Sequence, residues 1–291
     1  MNAYNSIHSK APVREWSRYR FPRDLLRFAA LLACLLGLMF AIDFLGIDLA
    51  RLLTLFGRVG EVLSERYFPP DVDYVMQGDY LASVVETVQM AYLGALIGML
   101  IAAPLAWFAS WNVTLSRRVL YPLARLFIMA SRSVHEMIWT ILFVTVLGFG
   151  MLPGVCALVM FCIGFAGKLF AEEIEVIDMG PVEAMRSAGA NPLQTFCYAV
   201  WPQIQTAWTG IAIYTWDVAF RAATVVGFFG AGGMGWYLKR NVQQLETERV
   251  AAILLSIVVL VVISELISAW ARHRLNRKRD VNRIETEAEA V

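Results

Sequence analysis

Residues 171–202 read AEEIEVIDMGPVEAMRSAGANPLQTFCYAVWP. Glu172, Glu173, Glu175, Asp178 and Glu183 outweigh Arg186 here, and long apolar runs flank the segment. A polar interruption between such runs is the mark of a loop joining two membrane spans, because about 20 apolar residues cross a hydrocarbon core of roughly 30 Å. Further runs lie outward from it, and together they occupy 25–47, 80–109, 119–149, 153–170, 203–229 and 250–271. The chain of 291 residues is 58% hydrophobic and 17% charged, with its apolar residues gathered in runs instead of at core-like periods. This predicts an all-α, polytopic membrane protein with six transmembrane helices.

The first run follows Lys10, Arg14, Arg18, Arg20 and Arg23, as a signal peptide would. Its basic arm and apolar stretch are both too long, and no small-residue cleavage site follows, so it reads as a retained span. Cys34, Cys156, Cys162 and Cys197 form no CxxC pair and read as small buried hydrophobes, not as a disulfide framework or zinc site. A net charge of +1 gives no electrostatic footprint for nucleic acid.

With six spans, the basic arm, the link carrying Arg117 and Arg118, and the tail carrying Arg272, Arg274, Arg277, Lys278 and Arg279 fall on one side. The positive-inside rule makes that side the cytoplasm, with both termini in it, and places 171–202 there too. The rule counts Lys and Arg, so the loop's acidity does not oppose it. Residues 48–68 carry Leu49, Leu52, Leu53, Leu55, Phe56, Val59, Val62 and Leu63 on one helical stripe. They form either an interfacial helix on the outer face or a helical extension of the first span. The expected division is a basic cytoplasmic arm at 1–24, a first span with its outer-face segment at 25–79, a five-span core at 80–272 and a cytoplasmic tail at 273–291.

The loop has its own punctuation. Gly180-Pro181 ends one element and starts another, Pro181 being suited to a first helical turn. Val182 to Ala188 then forms a short helix closed by Gly189, and Asn191-Pro192 repeats the device with an N-cap followed by proline. Pro202 opens the next span in the same way. Two short helices joined at a glycine hinge are expected.

These residues resemble the signature of permease subunits of ATP-driven (ABC) importers, Glu-Ala-Ala-x3-Gly-x9-Ile-x-Leu-Pro. Glu183, Ala184, Gly189 and Pro202 hold matching positions, while Met185, Ala199 and Trp201 replace Ala, Ile and Leu. Arg132-Ser133-Val134-His135-Glu136, the run from Trp216 to Gly227 and Gly230-Ala231-Gly232-Gly233-Met234-Gly235 narrow the likeness to phosphonate-type permeases, over about 75–272. That family commonly has proline at the position of His135 and often Glu at that of Asp217. The resemblance implies a type I importer (MetI-like) permease fold in a bacterial inner membrane, working as a homodimer. It implies a separate ATPase docked on the cytoplasmic loop, an external substrate-binding protein, and phosphonate, phosphite or hypophosphite as cargo. ATP and Mg then belong to the ATPase, and this chain binds no cofactor. The alternative within the resemblance is a permease for another small solute.

Charges inside the runs give a separate clue. Arg132, His135 and Glu136 fall near the middle of the third run, and Asp217 and Arg221 near the middle of the fifth. A charge at the bilayer centre costs about 2.5–3.5 kcal/mol on insertion scales, so these groups turn from lipid toward the bundle interior or a water-filled path. Arg132 with Glu136, and Asp217 with Arg221, are spaced to pair across one helical turn. They either tie helices together or line an anion pathway. Lys168 near a run's end is explained by snorkelling, and Asp43 and Glu86 lie towards the outer ends of their spans.

Other functions find less support. His135-Glu136 could open a zincin motif, but Trp139 stands where the second histidine belongs, so no metal site is expected. Gly230, Gly232, Gly233 and Gly235 satisfy the spacing G-x-G-x-x-G, yet no β-α alternation surrounds it, and the glycines read as a tight re-entrant turn or close helix approach at an outer mouth. No P-loop is present, so ATP hydrolysis is not expected of this chain. A secondary transporter would show two related repeats, of which no second copy is visible. A membrane enzyme would need a constellation that His8, His135 and His273 do not supply.

Overall fold

A lipid-facing backbone must satisfy its own hydrogen bonds, which leaves helices or closed barrels. All regular elements among the described residues are helical. The computed structural model describes residues 23–46 and 49–289. Most of the arm predicted at 1–24 lies outside them.

The chain divides into two units, 1–63 and 64–291. In the first, helix α1 (Arg23–Phe44) is long and apolar enough to cross a membrane. It ends in a turn with Gly46 at φ +59°, and α2 (Leu49–Arg66) starts afresh. The segment is therefore a separate helix and not an extension of the span. Val59, Val62 and Leu63 of its apolar stripe are exposed, and the side chains of Leu49, Leu52, Leu53, Leu55 and Phe56 lie outside the described residues.

In the second unit a short turn of helix, α3 (Val72–Val75), leads into α4 (Gly78–Phe108), followed by α5 (Leu120–Ser133), α6 (Glu136–Leu147) and α7 (Met151–Glu175). The loop helix α8 (Met179–Ser187) precedes α9 (Pro192–Thr195), a π-helical turn at Phe196–Val200, α10 (Trp201–Val226) and a second π-helical turn at Gly227–Ala231. Then come α11 (Gly233–Gln243) and α12 (Thr247–Glu289), which runs on from its span into the segment predicted as a tail. Among the described residues five helical stretches are long and apolar enough to cross a membrane, and a bent pair makes up the sixth.

Helices α4 and α7 form the centre because their facing residues are small. Ala91, Gly94, Ala95, Gly98 and Ala102 of α4 are buried, and a Cβ on Gly94 or Gly98 would come within 2.5 Å of the Cβ of Leu158 or Cys162. In lipid, where no hydrophobic force draws helices together, such close van der Waals contact supplies much of the cohesion. Where α10 meets α7, Phe170 and Trp208 stack at 4.3 Å, and Trp208 Nε1–H donates to the Phe170 carbonyl at 3.3 Å. Cys162 is buried in this core, but Cys34 and Cys197 are exposed, contrary to their reading as buried hydrophobes.

The third run is not one straight span. Val134 and His135 adopt extended backbone, and α5 and α6 meet at 90°. Residue Gly164 of α7 lets the end of α5 come close, since a Cβ there would lie 2.8 Å from the Arg132 backbone nitrogen. Arg132 and Glu136 therefore sit on different helices, and the ion pair their spacing suggests is not formed. Instead Glu136 Oε2 lies 3.3 Å from His135 Nδ1.

Candidate functional site

Three features of the second unit gather the residues singled out in the sequence. The first is the loop between α7 and α10. Asp178 caps α8, its carboxylate accepting from the Gly180 N–H at 2.9 Å. Helix α8 thus starts two residues before Pro181, which stands in its first turn as expected, where N–H groups have no intrahelical acceptor. Its end is a Schellman motif: Ala190 N–H donates to Met185 O and Gly189 N–H to Arg186 O, both at 3.0 Å, with Gly189 at φ +80°.

Val182 is fully buried with Ile174, Val200 and Ile204, and Met179 and Met185 pack beside it. The opposite face presents Glu183 and Ala184, and Gly189 and Pro202 are exposed as well. All four residues matched to the importer signature thus lie on the surface, on a helix whose other side is fixed. Gln203, next to Pro202, clamps the loop to the span: its side chain accepts from Asp178 N–H at 3.0 Å and donates to Asp178 O at 3.1 Å.

The second predicted short helix does not stand alone. Asn191 and Gln194 form a capping box at α9, but helical backbone then continues from Pro192 to Ala231. Pro202 stands in the first turn of α10, as read from the sequence, but helical backbone runs into that turn from the π turn before it. The proline lacks an N–H, and its ring would clash with the carbonyl four residues back, so the π turn at Phe196–Val200, where Trp201 N–H reaches Phe196 O, supplies the needed room.

The second feature is a cleft of about 480 Å³ at the break between α5 and α6, lined by Arg132, His135, Glu136, Phe165, Val218 and Arg221 among others. The charged residues of the third and fifth runs thus meet around one space. Asp217 stands behind it, 2% exposed, its Oδ2 2.8 Å from Arg221 Nη2. Arg221 also reaches Glu265 of α12 at 3.3 Å, and Glu265 reaches Arg272 at 3.4 Å. The predicted Asp217–Arg221 pair is therefore part of a four-charge chain tying α10 to α12. Glu265, a lone acid inside the run 250–271, was a visible signal that sequence reasoning missed. Lys168 pairs with Glu172 at 3.3 Å.

The third feature lies at the end of the bundle away from the loop. Gly230, Gly232 and Gly233 have φ of +107°, +85° and +63°, turning the chain from α10 back into α11. A Cβ on Gly233 would strike Thr87 Oγ1, and one on Gly235 would strike Thr224 O and Phe228 N. The segment is both a re-entrant turn and a close approach. Glu86 accepts from Gly233 N–H at 3.2 Å and Thr87 Oγ1 from Met234 N–H at 2.9 Å, so α4 caps α11. That role for Glu86 is not visible in a sequence where its partner lies 147 residues away.

A helical bundle with a surface-mounted loop helix and charges collected at a broken span belongs to a membrane transport component. Residues 94–278, which hold the loop, the cleft and the glycine turn but not its α4 partners Glu86 and Thr87, match the family described as binding-protein-dependent transport system inner membrane component, and the chain belongs to that family. Over 210 residues it is 39% identical to the phosphite transport system permease protein PtxC of Stutzerimonas stutzeri, covering 72% of this chain and 75% of that protein. It is 37% identical over 210 residues to the phosphate-import permease protein PhnE of Mycolicibacterium smegmatis, covering 72% of this chain but only 39% of that longer protein. Among solved structures, an inward-facing MetNI methionine ABC transporter chain superposes with a TM-score of 0.56 at 20% identity, over 67% of this chain and 95% of that one. At that identity the likeness bears on the fold alone. The fold class read from the sequence, an all-helical permease of the MetI-like type, is the one observed.

Proposed function

We propose that this chain is the path-forming subunit of an ATP-driven importer for phosphite, phosphonate or a closely related phosphorus oxyanion. The observation that carries the reading is the loop helix α8. Val182 anchors it, and Glu183 and Ala184 face outward. A capped helix with one buried and one bare polar face suits docking of a second protein.

In this reading the partner is an ATP-binding subunit that holds ATP and Mg. Closure of a pair of such subunits pushes α8, and the Gln203 clamp passes that motion to α10. Two copies of the chain form the path, both termini face the cytoplasm, and a binding protein delivers cargo at the glycine-turn end. The charged cleft lines the path. The choice of cargo is supported by the names of the relatives and by Arg132 at the cleft, whose guanidinium suits planar contact with an oxyanion.

Glu183→Lys tests the docking role. In cells that depend on this system, uptake of labelled phosphite is expected to vanish while the variant still inserts into the membrane at wild-type level. Normal uptake by the variant would remove α8 from the coupling.

A further inference from the structure

We propose that an oxyanion in transit is gripped at the break between α5 and α6 by Arg132, the Ser131 hydroxyl and the first N–H of α6, and that Arg221 is a structural tie that does not touch it. The inference rests on the reading of the chain as an oxyanion permease and assigns roles among its charged residues.

The two arginines at the cleft are in opposite states. Arg221 has both terminal nitrogens committed, Nη2 to Asp217 at 2.8 Å and Nη1 to Glu265 at 3.3 Å. Arg132 is exposed at the cleft and makes no ion pair or side-chain hydrogen bond among the described residues. A guanidinium whose donors are uncommitted offers the planar fork that matches two oxygens of a phosphorus oxyanion.

Two neighbouring donors point to the same ligand. Ser131 lines the cleft, is 1% exposed, and its Oγ has no hydrogen-bond partner among the described residues. Buried hydroxyls are rarely left unpaired, and an oxygen of a passing anion would complete this one. Helix α6 begins at the cleft wall with His135 as its N-cap. The N–H groups of Met137, Ile138 and Trp139 go to His135, whereas that of Glu136 is unclaimed among the described residues. The start of a twelve-residue helix adds its positive dipole end to that donor.

Glu136 faces the same space, its Oε2 beside His135 Nδ1 at 3.3 Å, and opposes an anion. Opposed attraction and repulsion give short retention, which a path requires because the cargo must also leave.

The test uses the reconstituted complex of permease, ATP-binding subunit and binding protein, with radiolabelled phosphite and inorganic phosphate as probes. Arg132→Gln is expected to lower uptake roughly tenfold or more, the scale of a lost charge-assisted hydrogen bond, with the melting temperature unchanged. Arg132→Lys should recover part of the loss, and Ser131→Ala should lower uptake about threefold. Arg221→Gln should instead lower the melting temperature. Uptake by Arg132→Gln within twofold of wild type, or uptake lost together with stability, would overturn the assignment. A wild-type complex that carries neither probe would overturn the cargo reading and this inference with it, a failure distinct from one confined to Arg132.

Discussion

Gly189 and Gly235 both sit in the importer core, yet the structure asks different things of them. A Cβ on Gly189 meets nothing within 4 Å, so only its φ of +80° resists substitution. A Cβ on Gly235 would collide with the Thr224 carbonyl and the Phe228 nitrogen, both backbone atoms that cannot step aside. Gly189→Val is therefore expected to cost about 1–2 kcal/mol of stability, to remain inserted, and to lose transport through a changed docking face. Gly235→Val should unfold at markedly lower temperature in detergent, from overpacking on the order of 1–3 kcal/mol or more. Equal melting temperatures for the two would contradict this division. The local chemistry at this scale was legible in sequence: Asn191-Pro192 and Gly189 carry their helix signals within a few residues. The Asp178 cap was missed because Gly180-Pro181 reads as the boundary itself, whereas the helix begins at Met179 and Pro181 falls later in its first turn. Glu86 and Gln203 were not legible, because their partners are set by tertiary packing.

Among the elements, α10 and α12 are joined by charge, and α4 and α7 by small residues. Asp217 is almost fully buried and relies on Arg221 for compensation. Removing Arg221 alone leaves a buried carboxylate unpaired, which destabilises by roughly 3 kcal/mol, whereas removing both charges avoids that penalty. Arg221→Gln should thus lower the unfolding midpoint, and Asp217→Asn in the same chain should restore most of it. A double variant no more stable than Arg221→Gln would show that the pair does not compensate. The break between α5 and α6 is not legible in the run 119–149, which reads as one span. No glycine or proline marks residues 123–147. The break at Val134 and His135 lies where the end of α5 packs against Gly164 of α7. The convergence of Arg132, His135 and Glu136 with Arg221 on one cleft follows from that bend. Hydropathy placed these residues inside the runs, but only the bend placed them together.

On the scale of the whole molecule, the polar loop and the glycine turn occupy opposite ends of the second unit, with the charged cleft at the broken span. The proposed mechanism needs such an arrangement: force enters at α8, passes through the Gln203 clamp into α10, and reaches Arg221 and the cleft on the same helix. The most direct measurement of this claim is phosphite uptake into proteoliposomes holding the permease and its ATP-binding subunit, with binding protein outside. Uptake is expected to require ATP inside, to proceed without an ion gradient and to be abolished by Glu183→Lys. Uptake driven by a proton or sodium gradient in the absence of ATP, and indifferent to Glu183→Lys, would contradict the claim.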